Sequence, residues 1–135
     1  MITHDTYRRV LYAETDKMGY LYYGHYASYY ETGRAEFIRD HGITYHDLEA
    51  DHGIMMPVAQ LECRYRLPAR YDENLVIRTY LKEMPRRIFH VEHEIINPAG
   101  QIINSGVVKL FFVDMESGKN VSCPEYVKEA FAPYF

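Results

Sequence analysis

Two carboxylates stand two positions apart in the stretch YAETDKMGYLYYGHY, residues 12–26: Glu14 and Asp16. Tyrosines crowd in directly behind them, six of the chain's 14 falling between Tyr20 and Tyr30. A carboxylate held at the mouth of a pocket can serve as a nucleophile or as a base. Aspartate before glycine also makes solvated turns and helix caps, so the spacing leaves three readings open: a turn, a capped helix start, or a catalytic group. His25 closes the stretch, where a lone histidine serves equally as a cap, a surface residue or a site residue. Farther on, Arg86 and Arg87 form a basic pair in a tight turn, KEMPRR. Cys63 and Cys123 have no metal-ligand spacing, and no metal site is expected.

Elements must position these groups. TYRRVLYAET (6–15) is rich in β-branched and aromatic residues and reads as a first strand, with Val10, Tyr12, Glu14 and Asp16 on one face. A turn through Gly19 follows. From His25 to His41, Tyr26, Tyr29, Tyr30, Gly33, Phe37 and Ile38 recur at helical spacing, with Gly42 as the stop. Gly33 inside that stripe implies a close packing partner. The stripe of Tyr26, Tyr29 and Tyr30 fits helix core better than an acyl pocket. Thr44 begins a short helix over 45–51. Strands are expected at 58–67, 74–84, 87–96 and 102–115, and Ser122 is the expected cap of a terminal helix over 123–131. Asn-Pro-Ala-Gly (97–100) and Glu-Ser-Gly-Lys (116–119) read as hairpin turns, so the sheet is largely antiparallel. One long helix before a run of long strands is an α+β pattern in which a curved sheet wraps the helix.

With 135 residues, 47% of them hydrophobic and 25% charged, the chain reads as one domain, 1–135, with a real core. A net charge of -4 argues against nucleic acid as a partner. The opening MITHDTYRRV has no apolar run of signal-peptide length, and no stretch approaches a membrane span. With two cysteines and no secretory context, the expectation is a reducing cytoplasm and no membrane partner.

The segment YAETDKMGYLYYGHYASYYETGRAEFIRDHGI resembles the opening of hot-dog-fold acyl-CoA thioesterases of the 4-hydroxybenzoyl-CoA thioesterase type. The matching positions are Asp16, Gly19, Tyr22, Tyr26, Glu31 and Arg34, with Pro68, Ala69 and Asp72 later in RYRLPARYDENLVIRT. The resemblance runs over essentially the whole chain. It implies a hot-dog fold, a long central helix wrapped by a curved antiparallel β-sheet. It also implies a homodimer, or a dimer of dimers (a homotetramer), with sites at the subunit interface.

The implied activity is hydrolysis of a short-chain, medium-chain or aromatic acyl-CoA, with no cofactor beyond the coenzyme A of the substrate. Asp16 is the expected nucleophile or general base, and the helix start at Tyr23, Gly24 and His25 would polarise the thioester carbonyl through free N–H groups and the helix dipole. Tyr23 stands where many bacterial relatives carry histidine, and a tyrosine hydroxyl is a poor base at neutral pH. Glu14 is expected to be exposed or hydrogen-bonded on the strand. Substrate contacts are expected from Tyr22, from Met56 and Pro57 (with Met55) as an apolar wall, and from Arg86 and Arg87, with Arg70 weaker, on the nucleotide phosphates. Glu31 would orient a partner across the dimer or pair with Arg34 or Arg64. Alternatives within the same fold are a thioesterase acting on an acyl carrier protein and a non-catalytic acyl-binding module.

Overall fold

The computed structural model describes all 135 residues. Strand β1 (Ile2–Arg9) is followed by helix α1 (Tyr26–Asp40), helix α2 (Tyr45–His52) and a two-residue strand, β2 (Ile54–Met55). Four long strands come next, β3 (Val58–Tyr65), β4 (Asn74–Leu81), β5 (Ile88–Ile96) and β6 (Ile102–Asp114). A short β7 (Asn120–Val121) and helix α3 (Glu125–Phe131) complete the chain. All pairings are antiparallel. The order is β1-β4-β5-β6, with β3 along the far side of β6 and the short β2 and β7 pairing with the end of β6.

Strict alternation writes the inner face of this sheet. Leu75, Ile77, Thr79 and Leu81 of β4 are buried, as are Phe89, Val91, His93 and Ile95 of β5, while their neighbours in sequence look outward. Helix α1 lies on that face with Tyr26, Tyr29, Tyr30, Gly33, Phe37 and Ile38 turned inward. Two glycines permit the close approach. A Cβ on Gly33 would stand 2.6 Å from Ile77 Cγ2 and 2.9 Å from Thr79 Oγ1, and one on Gly106 would strike the ring of Tyr30. The Tyr30 ring stacks on His93 (centroids 4.9 Å apart, 6° between planes) and its hydroxyl donates to Asn104 Oδ1. The expected packing partner of Gly33 is thus β4, and the tyrosine stripe is core. α2 is capped as expected, Asp47 N–H donating to Thr44 Oγ1 at 3.0 Å.

Two expectations need correction, and two short strands were not expected. The first strand ends at Arg9, and residues 12–14 form a single 3-10 turn, so Val10, Tyr12, Glu14 and Asp16 share no strand face. The Glu14 carboxylate pulls the chain out of the strand by accepting the Leu11 N–H at 2.9 Å. The terminal helix begins at Glu125 behind Pro124 with no side-chain cap, so Ser122 does not cap it. Strands β2 and β7 are too short for a periodicity to show in the sequence; only pairing with the end of β6 makes them strands.

Candidate active site

Arg9 ends β1, and from there the chain makes a tight excursion before α1. Glu14, 7% exposed, anchors it. Its Oε1 accepts from Leu11 N–H at 2.9 Å and from the Tyr29 hydroxyl at 2.8 Å, and its Oε2 accepts from Arg8 Nη2 at 2.7 Å. Burial alone would raise the Glu14 pKa, but the hydrogen bonds from Leu11, Tyr29 and Arg8 and the charge of Arg8 outweigh it, so the carboxyl lies below its ordinary range. Glu14 is a buried anchor in a turn and not a strand residue.

Two residues on, Asp16 is half-buried. Its Oδ1 accepts from the N–H groups of Met18 (2.9 Å) and Tyr20 (3.1 Å), and its own N–H donates to Tyr20 O at 2.9 Å. Gly19 closes the turn with φ +80°, a conformation that favours glycine. The turn reading of Asp16 is therefore correct for one oxygen, while Oδ2 takes no hydrogen bond from the protein. Asp16 lines a cleft of about 260 Å³ whose other walls include Leu21, Tyr23, Tyr26, Tyr65 and Leu67. Tyr26 and Tyr65 meet edge to face at 5.3 Å, and the Tyr65 hydroxyl donates to Tyr23 O at 3.3 Å. Interaction with the Cys63 thiol and partial burial push the Tyr65 pKa up to about 12, and burial raises that of Tyr26. Both are neutral hydrogen-bond donors at neutral pH.

Helix α1 is preceded by one 3-10 turn, Tyr23–His25. The N–H of His25 is committed to Tyr22 O (3.0 Å), whereas those of Tyr23 and Gly24 make no hydrogen bond within the chain. Gly24 belongs there sterically, since a Cβ would sit 2.6 Å from the ring of Tyr22. Of the expected catalytic group, Asp16 and Tyr23 share the cleft, Gly24 contributes a free N–H, and half-buried His25 stands at the helix start against the ring of Tyr22.

Several expected substrate contacts lie elsewhere in the protomer. Tyr22 packs on Tyr23 and His25 and is not a wall of the Asp16 cleft. Met56 is half-buried against the core and Pro57 is exposed; neither borders that cleft. Glu31 is exposed and pairs with neither Arg34 nor Arg64, because the Arg34 side chain turns inward and donates to the Tyr45 hydroxyl at 2.7 Å. Arg86 and Arg87 border a separate cleft of about 470 Å³ together with His90 and Lys109. His90 and Lys109 sit opposite each other on β5 and β6, so the basic pair belongs to a larger basic surface. Arg70 lies beside the Asp16 turn, its guanidinium 5.0 Å from the ring of Tyr20. Tyr65, His90 and Lys109 escaped the sequence reading. Tyr65 had a signal, an aromatic at the end of a strand leading into Pro68, but His90 and Lys109 become neighbours only through strand register.

Residues 10–131 match the thioesterase-like superfamily. The chain belongs to that family. Among its relatives, the Bacillus subtilis (strain 168) protein YneP, named provisionally as an acyl-CoA thioesterase, is 34% identical over 112 residues, covering 83% of this chain and 80% of YneP. The acyl-CoA thioester hydrolase YbgC of Escherichia coli O157:H7 is 28% identical over 123 residues, covering 91% of each. In structure, the chain superposes on a DHNA-CoA thioesterase from Staphylococcus aureus with a TM-score of 0.91 at 31% identity, covering 98% of this chain and 91% of that one. A 4-hydroxybenzoyl-CoA thioesterase, solved with 4-hydroxybenzoyl-CoA, superposes with a TM-score of 0.85 at 20% identity and supports the fold alone. The long helix on its curved antiparallel sheet is the hot-dog fold, and the protein is a thioester hydrolase of the hot-dog acyl-CoA thioesterase type. No helix of this thioesterase is long and apolar enough to cross a membrane.

Proposed function

We propose that the thioesterase hydrolyses an acyl-CoA carrying an aromatic or short acyl group, with Asp16 at the reacting carbon. One observation carries the reading: Asp16, on the wall of a tyrosine-lined cleft beside an unsatisfied helix start, holds one oxygen in its turn and leaves the other without a hydrogen-bond partner. A carboxylate pinned through Oδ1 has lost rotamer freedom, so Oδ2 is already oriented. Either Oδ2 attacks the thioester carbon, or it takes a proton from a water that attacks. In both routes the carbonyl oxygen gains negative charge, which the Tyr23 and Gly24 N–H groups and the positive end of α1 favour. The C–S bond breaks, the CoA sulfur leaves and is protonated, and water supplies the hydroxyl of the free acid. A cleft of about 260 Å³ with walls from Tyr23, Tyr26 and Tyr65 suits a ring or a short chain better than a long one. Arg86, Arg87, His90 and Lys109 would receive the nucleotide phosphates.

A second copy of the chain would complete the cleft. β3 pairs only with β6, and seven of its eight residues are exposed. Val58, Leu61 and Tyr65 on it are 53%, 45% and 55% exposed, an apolar free edge of the kind that soluble proteins cover. The cleft residues Tyr65, Arg66, Leu67 and Pro68 lie at its end. Tyr22, Met56 and Pro57, which miss the cleft within one protomer, would then meet substrate only across such an interface.

A panel of acyl-CoAs, read by thiol release, tests the proposal. Asp16→Asn is expected to lower kcat by about 10²-fold or more with the fold intact. Wild-type turnover in that variant overturns the role of Asp16. Absence of turnover across the panel in the unmodified protein leaves the acyl-binding module. The basic surface would also suit an acidic carrier protein: an Arg86→Ala, Arg87→Ala double variant that loses only carrier-bound substrates supports that second reading.

A further inference from the structure

We infer that Glu14 is a positioning residue for the hydrolysis, holding the Asp16 turn and the start of α1 in one rigid unit. The inference rests on the proposed role of Asp16 and adds a residue that the reaction itself does not use. Glu14 is a buried carboxylate with three donors on three pieces of chain: Leu11 N–H in the turn, the Tyr29 hydroxyl on α1, and Arg8 Nη2 on β1. Its own carbonyl accepts the N–H of Tyr22 at 2.9 Å, directly before the 3-10 turn that carries the free N–H groups of Tyr23 and Gly24. Thr15 bridges to Leu21, and Asp16 N–H donates to Tyr20 O, so residues 14–22 form a closed loop with Glu14 at its base.

Arg8 locks the same joint from the other side. Its Nη1 donates to Ser28 O at 3.1 Å and to Thr32 Oγ1 at 2.9 Å, and its guanidinium lies 3.8 Å from the centroid of the Tyr29 ring. The base of the Asp16 loop and the first turns of α1 are therefore bonded to one carboxylate–guanidinium pair. A reacting carboxylate and a carbonyl-polarising helix start that must be aligned to a fraction of an ångström need such a joint, since a small misplacement costs large factors in rate. An ordinary buried ion pair would supply stability without regard to where Asp16 points. Here both bonded segments are the two halves of the site.

The test separates position from stability. Glu14→Gln keeps an acceptor for Leu11 and Tyr29 but sets an amide against Arg8. kcat and KM would be measured with the best acyl-CoA of the panel and corrected for the folded fraction from urea unfolding. Expected is a drop in corrected kcat of about tenfold or more with KM within about twofold, together with an Asp16→Asn, Glu14→Gln double variant no slower than Asp16→Asn alone. Unchanged corrected kcat, or losses that multiply in the double variant, overturns the inference. Tyr29→Phe, which removes one hydroxyl and keeps the ring, guards against a Glu14 variant that does not fold: a drop in corrected kcat of about threefold supports the inference and no drop refutes it. Asp16→Asn inactive with Glu14→Gln at wild-type turnover refutes only the positioning role. Asp16→Asn at wild-type turnover refutes the reading of Asp16 and this inference with it.

Discussion

His93 is a core histidine whose chemistry departs far from the ordinary behaviour of an imidazole. It lies 1% exposed beneath α1, its Nδ1 within 3.1 Å of Thr79 Oγ1 and its ring stacked on Tyr30, while Nε2 has no partner. Burial first, and the charge of Arg34 second, bring its pKa down to about 3 from 6.5. The unfolded chain therefore takes up a proton at His93 as pH falls below 6.5 while the folded chain does not, and stability drains away from 6.5 down towards 3. Between pH 7 and pH 5 the loss from this residue is about 2 kcal/mol, at 1.36 kcal/mol per pH unit below 6.5. Urea unfolding at the two pH values should show it, and His93→Leu should flatten the difference. An equal loss in that variant would mean that another group is responsible. The sequence did not single out His93, which stands between Glu92 and Glu94; strand register and the seating of α1 bury it and leave its second nitrogen without a partner.

At the scale of elements, the spacing between α1 and the sheet is set by what is missing from Gly33 and Gly106. Alanine at position 33 gains about 1 kcal/mol in helix propensity. It also drives a methyl to 2.6 Å from Ile77 Cγ2, on a β-branched side chain locked in the middle of β4. The clash should win, with a net loss of about 1–3 kcal/mol in urea unfolding. A stabilised Gly33→Ala protein would show that the helix can shift outward at little cost. The periodicity of α1 and the strand runs of β4, β5 and β6 between turn residues were plain in the sequence, because each is a local pattern. The end of β1 was not, because a carboxylate five residues past a strand counts as polar and exposed until Arg8 and Tyr29 fold over it.

The whole molecule leaves the outer edges of β1 and β3 unpaired, and β3 is the more exposed of the two. If a second copy covers β3 and completes the cleft, Leu61→Arg should give a monomer by light scattering, with unchanged helix and sheet content and kcat reduced by about 10²-fold or more, since the facing wall is lost. A Leu61→Arg monomer that turns over at the wild-type rate would show that each protomer carries a full site. The outer face of the sheet, where Lys82 pairs with Glu92 at 2.7 Å and Arg78 with Asp5 at 2.8 Å, is charged and internally paired, in contrast to the apolar free edge.

The order of the long elements, the inward stripe of α1, the capping threonine of α2 and the family itself were written in the sequence, since the elements depend on neighbours within a turn or a pleat and the family on its motif residues. Tertiary structure alone decided that Glu14 is an anchor while Asp16 keeps a free oxygen, that Tyr65 rather than Tyr22 borders the Asp16 cleft, and that Lys109 joins Arg86 and Arg87. The long-range contacts among them join residues 15 to 49 positions apart, and only strand register and the seating of one helix on two glycines bring them within reach.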